Sequence, residues 1–135
     1  MNIRVTFGGG KKVDAQVRNH VVRTDQSVQH GGEGAAPEPF DLFLASLAAS
    51  AGARVLAFCQ ARNISTEDIE ILQRHRFDEL SKRLSCVELE LVLPFEFPEG
   101  ERAALIRAAE SSDVKEVLAS APDVVVSLRV PEMIS

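Results

Sequence analysis

Apolar and polar positions alternate at the start of the chain. Ile3, Val5 and Phe7 are separated by Arg4 and Thr6, and Val13, Ala15 and Val17 by Asp14 and Gln16. A period of two places one set of side chains on one face of a strand. Gly8-Gly9-Gly10 supplies a turn between these runs, where a missing Cβ removes the steric bar to unusual backbone angles. Asn19-His20 reads as a second turn, before a third strand from Val21 to Asp25. Residues 2–28 therefore predict a three-stranded meander with a single apolar face.

Residues 29–38 carry three glycines and a proline and read as a loop. From Pro39 the pattern changes. Pro39 fits the first helical turn, and Asp41 sets a carboxylate against the positive helix end. The helix should run to about Arg62, with Asn63 as its stop. It is apolar almost all round, which predicts burial by more than one surface. A second meander follows, with Ile69 and Ile71 on one phase of a strand through Phe77. After a polar turn at Glu79 to Arg83, Val87, Leu89, Leu91 and Leu93 alternate with Glu88 and Glu90 until Pro94 removes a ladder donor. Pro98-Glu99-Gly100-Glu101 opens a helix to about Glu110. Asp113 with Glu116 resembles a capping box for a short helix, Val114 to Ser120. Val124 to Val130 is the expected last strand, ended by Pro131.

Meander, long helix, meander and short helices make an α+β pattern in one domain, residues 1–135. One small sheet cannot cover a helix that is apolar on every side. A second subunit is the simplest source of the missing cover, so a homodimer is expected.

Composition narrows the function without naming it. Apolar residues make up 45% and charged residues 26% of the chain, close to soluble averages. The net charge of −5 has both signs interspersed and leaves no basic footprint for nucleic acid, and Trp and Tyr are absent. The start of the chain shows no apolar signal region, and the apolar run Leu42 to Ala53, bounded by Asp41 and Arg54, is shorter than a membrane span. A soluble cytoplasmic protein with no membrane partner is the expectation. Cys59 and Cys86 have no C-x-x-C spacing, and His20, His30 and His75 form no H-x-x-x-H pair, so neither metal nor cofactor is expected.

Several segments carry a resemblance in their order and spacing: Phe7 to Ala15, Thr24-Asp25-Gln26, Gly31-Gly32, Pro39 to Ser50, Phe58-Cys59-Gln60, Phe97-Pro98-Glu99 and Val114-Lys115. Together they resemble the OsmC/Ohr family, the osmotically inducible protein C and organic hydroperoxide resistance proteins, over roughly residues 3–130. The resemblance implies an intertwined homodimer and a peroxidase with one cysteine on the long helix and a second at the start of a later helix. The matching positions here are Ser50 and Ser112. Serine is not ionised near neutral pH, forms no sulfenic intermediate and cannot close a disulfide. Val117 also departs from the polar residue of the pattern. The resemblance further implies that the substrate lies against the Pro39–Ser50 helix, so Phe40, Asp41 and Phe43 are expected pocket residues. Asp41 would orient an arginine, with Arg18, Arg23 and Arg54 all open.

Plainer roles stand beside these. Ser50, among Ala48, Ala49, Ala51 and Gly52, suits close helix packing. Ser112 suits a helix entry, and Asp41 a helix start. Cys59 lies nine residues after Ser50, about half a turn round the helix, and reads as a core thiol. Cys86 shares a strand face with Glu88 and Glu90, which disfavour a thiolate. Three functions remain open at this point. One is a dimer without catalysis that keeps a pocket for a small apolar or lipid-like molecule. The others are a hydroperoxide reductase using Cys59 or Cys86, and a purely structural or interaction dimer.

Overall fold

The strand pairing sets the frame. In the computed structural model, which describes residues 1–132, β1 (Ile3–Phe7), β2 (Val13–Val17) and β3 (His20–Thr24) form an antiparallel meander of order β1-β2-β3. Ile3 pairs with Val17, Phe7 with Val13, and Val13 with Thr24. The second turn is Arg18-Asn19, one residue earlier than the sequence pattern indicates, because Val17 pairs directly with His20. Arg18 takes the left-handed conformation there (φ 54°). The apolar face of this sheet is not covered by its own chain. Ile3 and Val5 are about half exposed and Phe7 is 84% exposed.

Helix α1 (Pro39–Ala61) begins as its sequence indicates. Pro39 occupies the first turn, and Asp41 and Glu38 form a reciprocal capping box, with the Glu38 N–H donating to Asp41 Oδ2 at 3.3 Å. Asn63 lies just beyond the end with φ 54°, the left-handed residue of a helix stop. Leu47, Ala51, Val55, Phe58 and Cys59 are buried. At 23 residues, α1 is long and apolar enough to cross a bilayer by composition alone, unlike the shorter run Leu42 to Ala53. Its buried residues face the rest of the chain. Arg54 near its centre pairs with Asp113, and α1 packs on β4, α2 (Arg102–Glu110) and α3 (Asp113–Ala119).

β4 (Glu70–Phe77) and β5 (Leu84–Val92) form a separate two-stranded antiparallel sheet. Their turn is held by Asp78, whose carboxylate accepts from the N–H groups of Ser81 and Leu80 at 2.8 and 3.0 Å. The core lies between this sheet, the second half of α1 and α2. Cys59 and Leu105 are fully buried there, with Val55, Phe58 and Phe97 around them.

Two further sequence expectations need correction. The residue capping α3 is Ser112, not Asp113: the Ser112 hydroxyl accepts from the Lys115 N–H at 3.2 Å. Residues 124–130 also form no strand, because no neighbouring strand of the same chain lies beside them. Val124, Val125, Val126, Leu128 and Val130 are 80–90% exposed.

Candidate functional site

Helix α1 presents Phe43, Leu47 and Ala51, three residues one turn apart, to a cavity of about 700 Å³. The sheet supplies Ile71, Val87, Leu89 and Leu91 to the opposite wall, and α2 supplies Ile106 and Ala109. Nearly all of this lining is aliphatic. Polar groups enter at one end, where Glu110, Ser112 and Lys115 gather at the junction of α2 and α3, and along β5 at Ser85 and Cys86. A volume of this size with few polar groups suits a small apolar molecule.

Ser112 is 2% exposed and its hydroxyl is engaged as the cap of α3. Ser50 is half-buried and does not line the cavity. It lies one turn before Arg54 and so shares its helix face. Arg54 Nη2 donates to Asp113 Oδ1 at 2.9 Å, beside Ser112. The α1 face that carries Ser50 is thus turned toward the start of α3.

The two thiols differ sharply. Cys59 is sealed in the core, and burial pushes its thiol up from the ordinary value against a smaller opposing effect of Arg62. The Arg62 guanidinium stacks on the Phe58 ring, 3.7 Å from its centroid. Cys86 is half-buried and borders the cavity. It faces Glu88 as the alternation indicates, but Arg76 stands between them: Arg76 Nη2 lies 3.2 Å from Cys86 Sγ and 3.8 Å from the Glu88 carboxylate. Glu90 is matched by Arg74 at 3.3 Å. The carboxylates that should disfavour a Cys86 thiolate are therefore each paired with a guanidinium from β4.

Of the expected pocket residues, Phe43 lines the cavity and stacks on Phe40, with ring centroids 5.7 Å apart. Phe40 is half-exposed and lies off the wall. Asp41 caps α1 and has no ion-pair partner among the described residues. Arg23 pairs with Asp14 and Arg54 with Asp113, while Arg18 sits in the β2–β3 turn. None of the three lines the cavity.

The sequence pattern passed over a polar pair on the inner face of β4. Gln73 Nε2 donates to the Leu44 carbonyl at 2.8 Å and lies 2.7 Å from His75 Nε2, while Gln73 Oε1 is buried without a partner. The available signal was phase, since residues 73 and 75 share the parity of Ile71. The Thr24-Asp25-Gln26 motif also gains a role. Asp25 is 1% exposed, and its carboxylate accepts from the N–H groups of Gln26, Ala35 and Glu33 at 2.7, 3.1 and 3.3 Å. Those bonds, the Ala35 one foremost, hold its carboxyl below the usual range. Asp25 thereby ties down the loop that delivers the chain to α1.

This arrangement has known relatives. The family model of the OsmC-like protein matches residues 31–127. The chain belongs to the OsmC-like family. Solved structures show the same α+β fold. An osmotic-stress and detoxification-response protein of Psychrobacter arcticus superposes with a TM-score of 0.72 at 20% identity, over 86% of each chain. The OsmC-like protein of Mycoplasma pneumoniae gives 0.70 at 14% identity, covering 89% of this chain and 87% of that one. The organic hydroperoxide resistance protein OhrB of Bacillus subtilis gives 0.54 at 19% identity, over 90% and 93%. Comparison with curated protein sequences finds no match. Family membership relates this chain to hydroperoxide resistance proteins.

Proposed function

We propose that this OsmC-like chain works as a cytoplasmic homodimer without thiol peroxidase activity, and that its aliphatic cavity holds a small apolar or lipid-like molecule. The observation that carries this reading is the cavity itself, with the buried hydroxyl of Ser112 among its polar lining groups. A hydroxyl there can donate or accept a hydrogen bond but cannot cycle between thiol, sulfenic acid and disulfide. Cys59 is closed off by the core. Under this reading, consumption of cumene hydroperoxide with dithiothreitol or a dihydrolipoyl donor stays at the background rate. Native mass spectrometry of the gently purified protein should show an extra apolar mass.

A second reading has one observation in its favour: Cys86 borders the same cavity with a guanidinium 3.2 Å from its sulfur. Steady peroxide turnover that disappears in Cys86→Ser would establish this reading and overturn the first.

A further inference from the structure

The two faces of the β1-β2-β3 meander differ in chemistry. Ile3, Val5 and Phe7 share one face, and parity puts Asn2, Arg4 and Thr6 on the other. Register sets Gln16 directly opposite Arg4, and one step beyond the Ile3–Val17 pair brings Asn2 beside Arg18. These four residues, with Met1, line a shallow depression of about 520 Å³. It shares no residue with the aliphatic cavity. Its polar lining is two guanidiniums and two amides, with no carboxylate and no aromatic ring.

Acidic residues outnumber basic ones in this chain by 20 to 15, so counter-charges are plentiful. Arg23, Arg54, Arg62, Arg74 and Arg76 each hold a carboxylate within 3.8 Å. Arg4 and Arg18 hold none among the described residues. Asp14 is the one carboxylate on this face of β2, and Arg23 takes it at 3.2 Å. Like charges on neighbouring positions of a sheet repel. The backbone at Arg18 is unfavourable as well. It stands in the left-handed region at φ 54°, which Gly and Asn enter more readily, although Asn19 is next in the chain. Strain held at a charged residue beside a depression points to use of its side chain.

We infer that this depression binds the phosphoryl group of a small phosphate ester. A guanidinium presents a fork of N–H donors that matches two phosphate oxygens at once. Two of them on diagonal strand positions, roughly 7–8 Å apart at the backbone, can converge on one dianion. The amides of Asn2 and Gln16 donate to the remaining oxygen. A carboxylate ligand, with one charge and two oxygens, satisfies only one of the two forks. No aromatic ring lines the depression, so a base or ring on the ligand gains no stacking and the phosphoryl group itself carries recognition. All four side chains are exposed, which places the affinity in the millimolar range. The proposed dimer would cover the apolar face and leave this one in solvent, so binding here depends neither on assembly nor on the aliphatic cavity.

Heteronuclear NMR titration of the isotope-labelled full chain tests this, with inorganic phosphate, glycerol 3-phosphate and acetate compared at equal ionic strength. Saturable shifts confined to residues 2–4 and 16–19 are expected with both phosphates and not with acetate. Arg4→Gln and Arg18→Asn should each weaken binding about tenfold, the effect of losing one charge-assisted pair. Arg18→Asn should do so without loss of thermal stability, since Asn accepts the left-handed backbone more easily. Arg107→Gln on α2, outside the lining, should leave binding unchanged. Non-saturating shifts, an equal response to acetate, or unchanged affinity in both Arg4→Gln and Arg18→Asn overturns the proposal. Co-sedimentation with vesicles separates the two sources of such a group. Retention by phosphatidic acid over phosphatidylcholine vesicles, lost in both variants, assigns it to a lipid head, and saturable phosphate binding without retention assigns it to a soluble ester.

Discussion

Cys59 and Cys86 should separate in a reagent titration. In the native protein one thiol per chain reacts readily with Ellman's reagent, and a second appears only in denaturant, since Cys59 is fully buried with its thiol pushed up by burial. Asp25 carries a different test. Its carboxyl is held below the ordinary value by three backbone donors, so its ionised form binds better in the folded chain than in the unfolded one. Its contribution is complete above the unfolded carboxylate value near 3.9 and is lost as pH falls through the lower folded value. Asp25→Asn should therefore lower the urea midpoint at pH 7, and the gap from wild type should narrow toward pH 3. Gly32 enforces the same loop. A Cβ there would stand 2.1 Å from the Gln26 carbonyl oxygen, so Gly32→Ala should also destabilise the fold in thermal melts.

At the level of elements, α3 is short and depends on its cap. Ser112→Ala removes the acceptor for the Lys115 N–H and should cost about 1 kcal/mol in denaturant titrations. Leu105→Ala on α2 should cost about 2–5 kcal/mol, because Leu105 is wholly enclosed by the core. The α1–α3 contact is best probed by Ser50→Cys with Ser112→Cys. The Arg54–Asp113 pair already turns the two helices toward each other, and an intrachain disulfide is expected on mild oxidation, detectable as a faster-running monomer. Much of this level was legible in the sequence. Pro39, Asp41 and Asn63 fix the bounds of α1 through backbone chemistry that is local, and the alternation in β5 gives its faces. Ser112 was read as a helix entry, but Asp113 looked the better cap. The choice rests on which side chain points back at the 115 N–H, and that depends on chain geometry rather than residue type. The pairing of Arg76 with Cys86 and Glu88 was hidden for a similar reason, since it depends on the register shift between Arg76 and Phe77.

The whole molecule shows where sequence patterning stops. The period-two run of β1 gives a strand whose apolar face stays exposed, and the run 124–130 forms no strand at all; a pattern within one chain cannot say what would lie against either. The cavity was equally out of reach, since its walls come from α1, β5, α2 and α3 and no sequence window spans them. Light scattering at low micromolar concentration should give twice the 14.7 kDa chain mass, and a stable folded monomer there would contradict the dimer.

The bare face of β1 also governs how the molecule comes into being. A meander whose Ile3, Val5 and Phe7 stay wet has little reason to persist alone. In the proposed homodimer its ordering awaits collision with another chain, which makes the closing step of folding bimolecular. Refolding after dilution from urea should then show a slow phase whose rate rises in proportion to protein concentration. The melting temperature should climb with concentration as well, by mass action. In a cell, newly made chains would pass through an interval set by their own abundance, during which these strands remain open to proteases and chaperones.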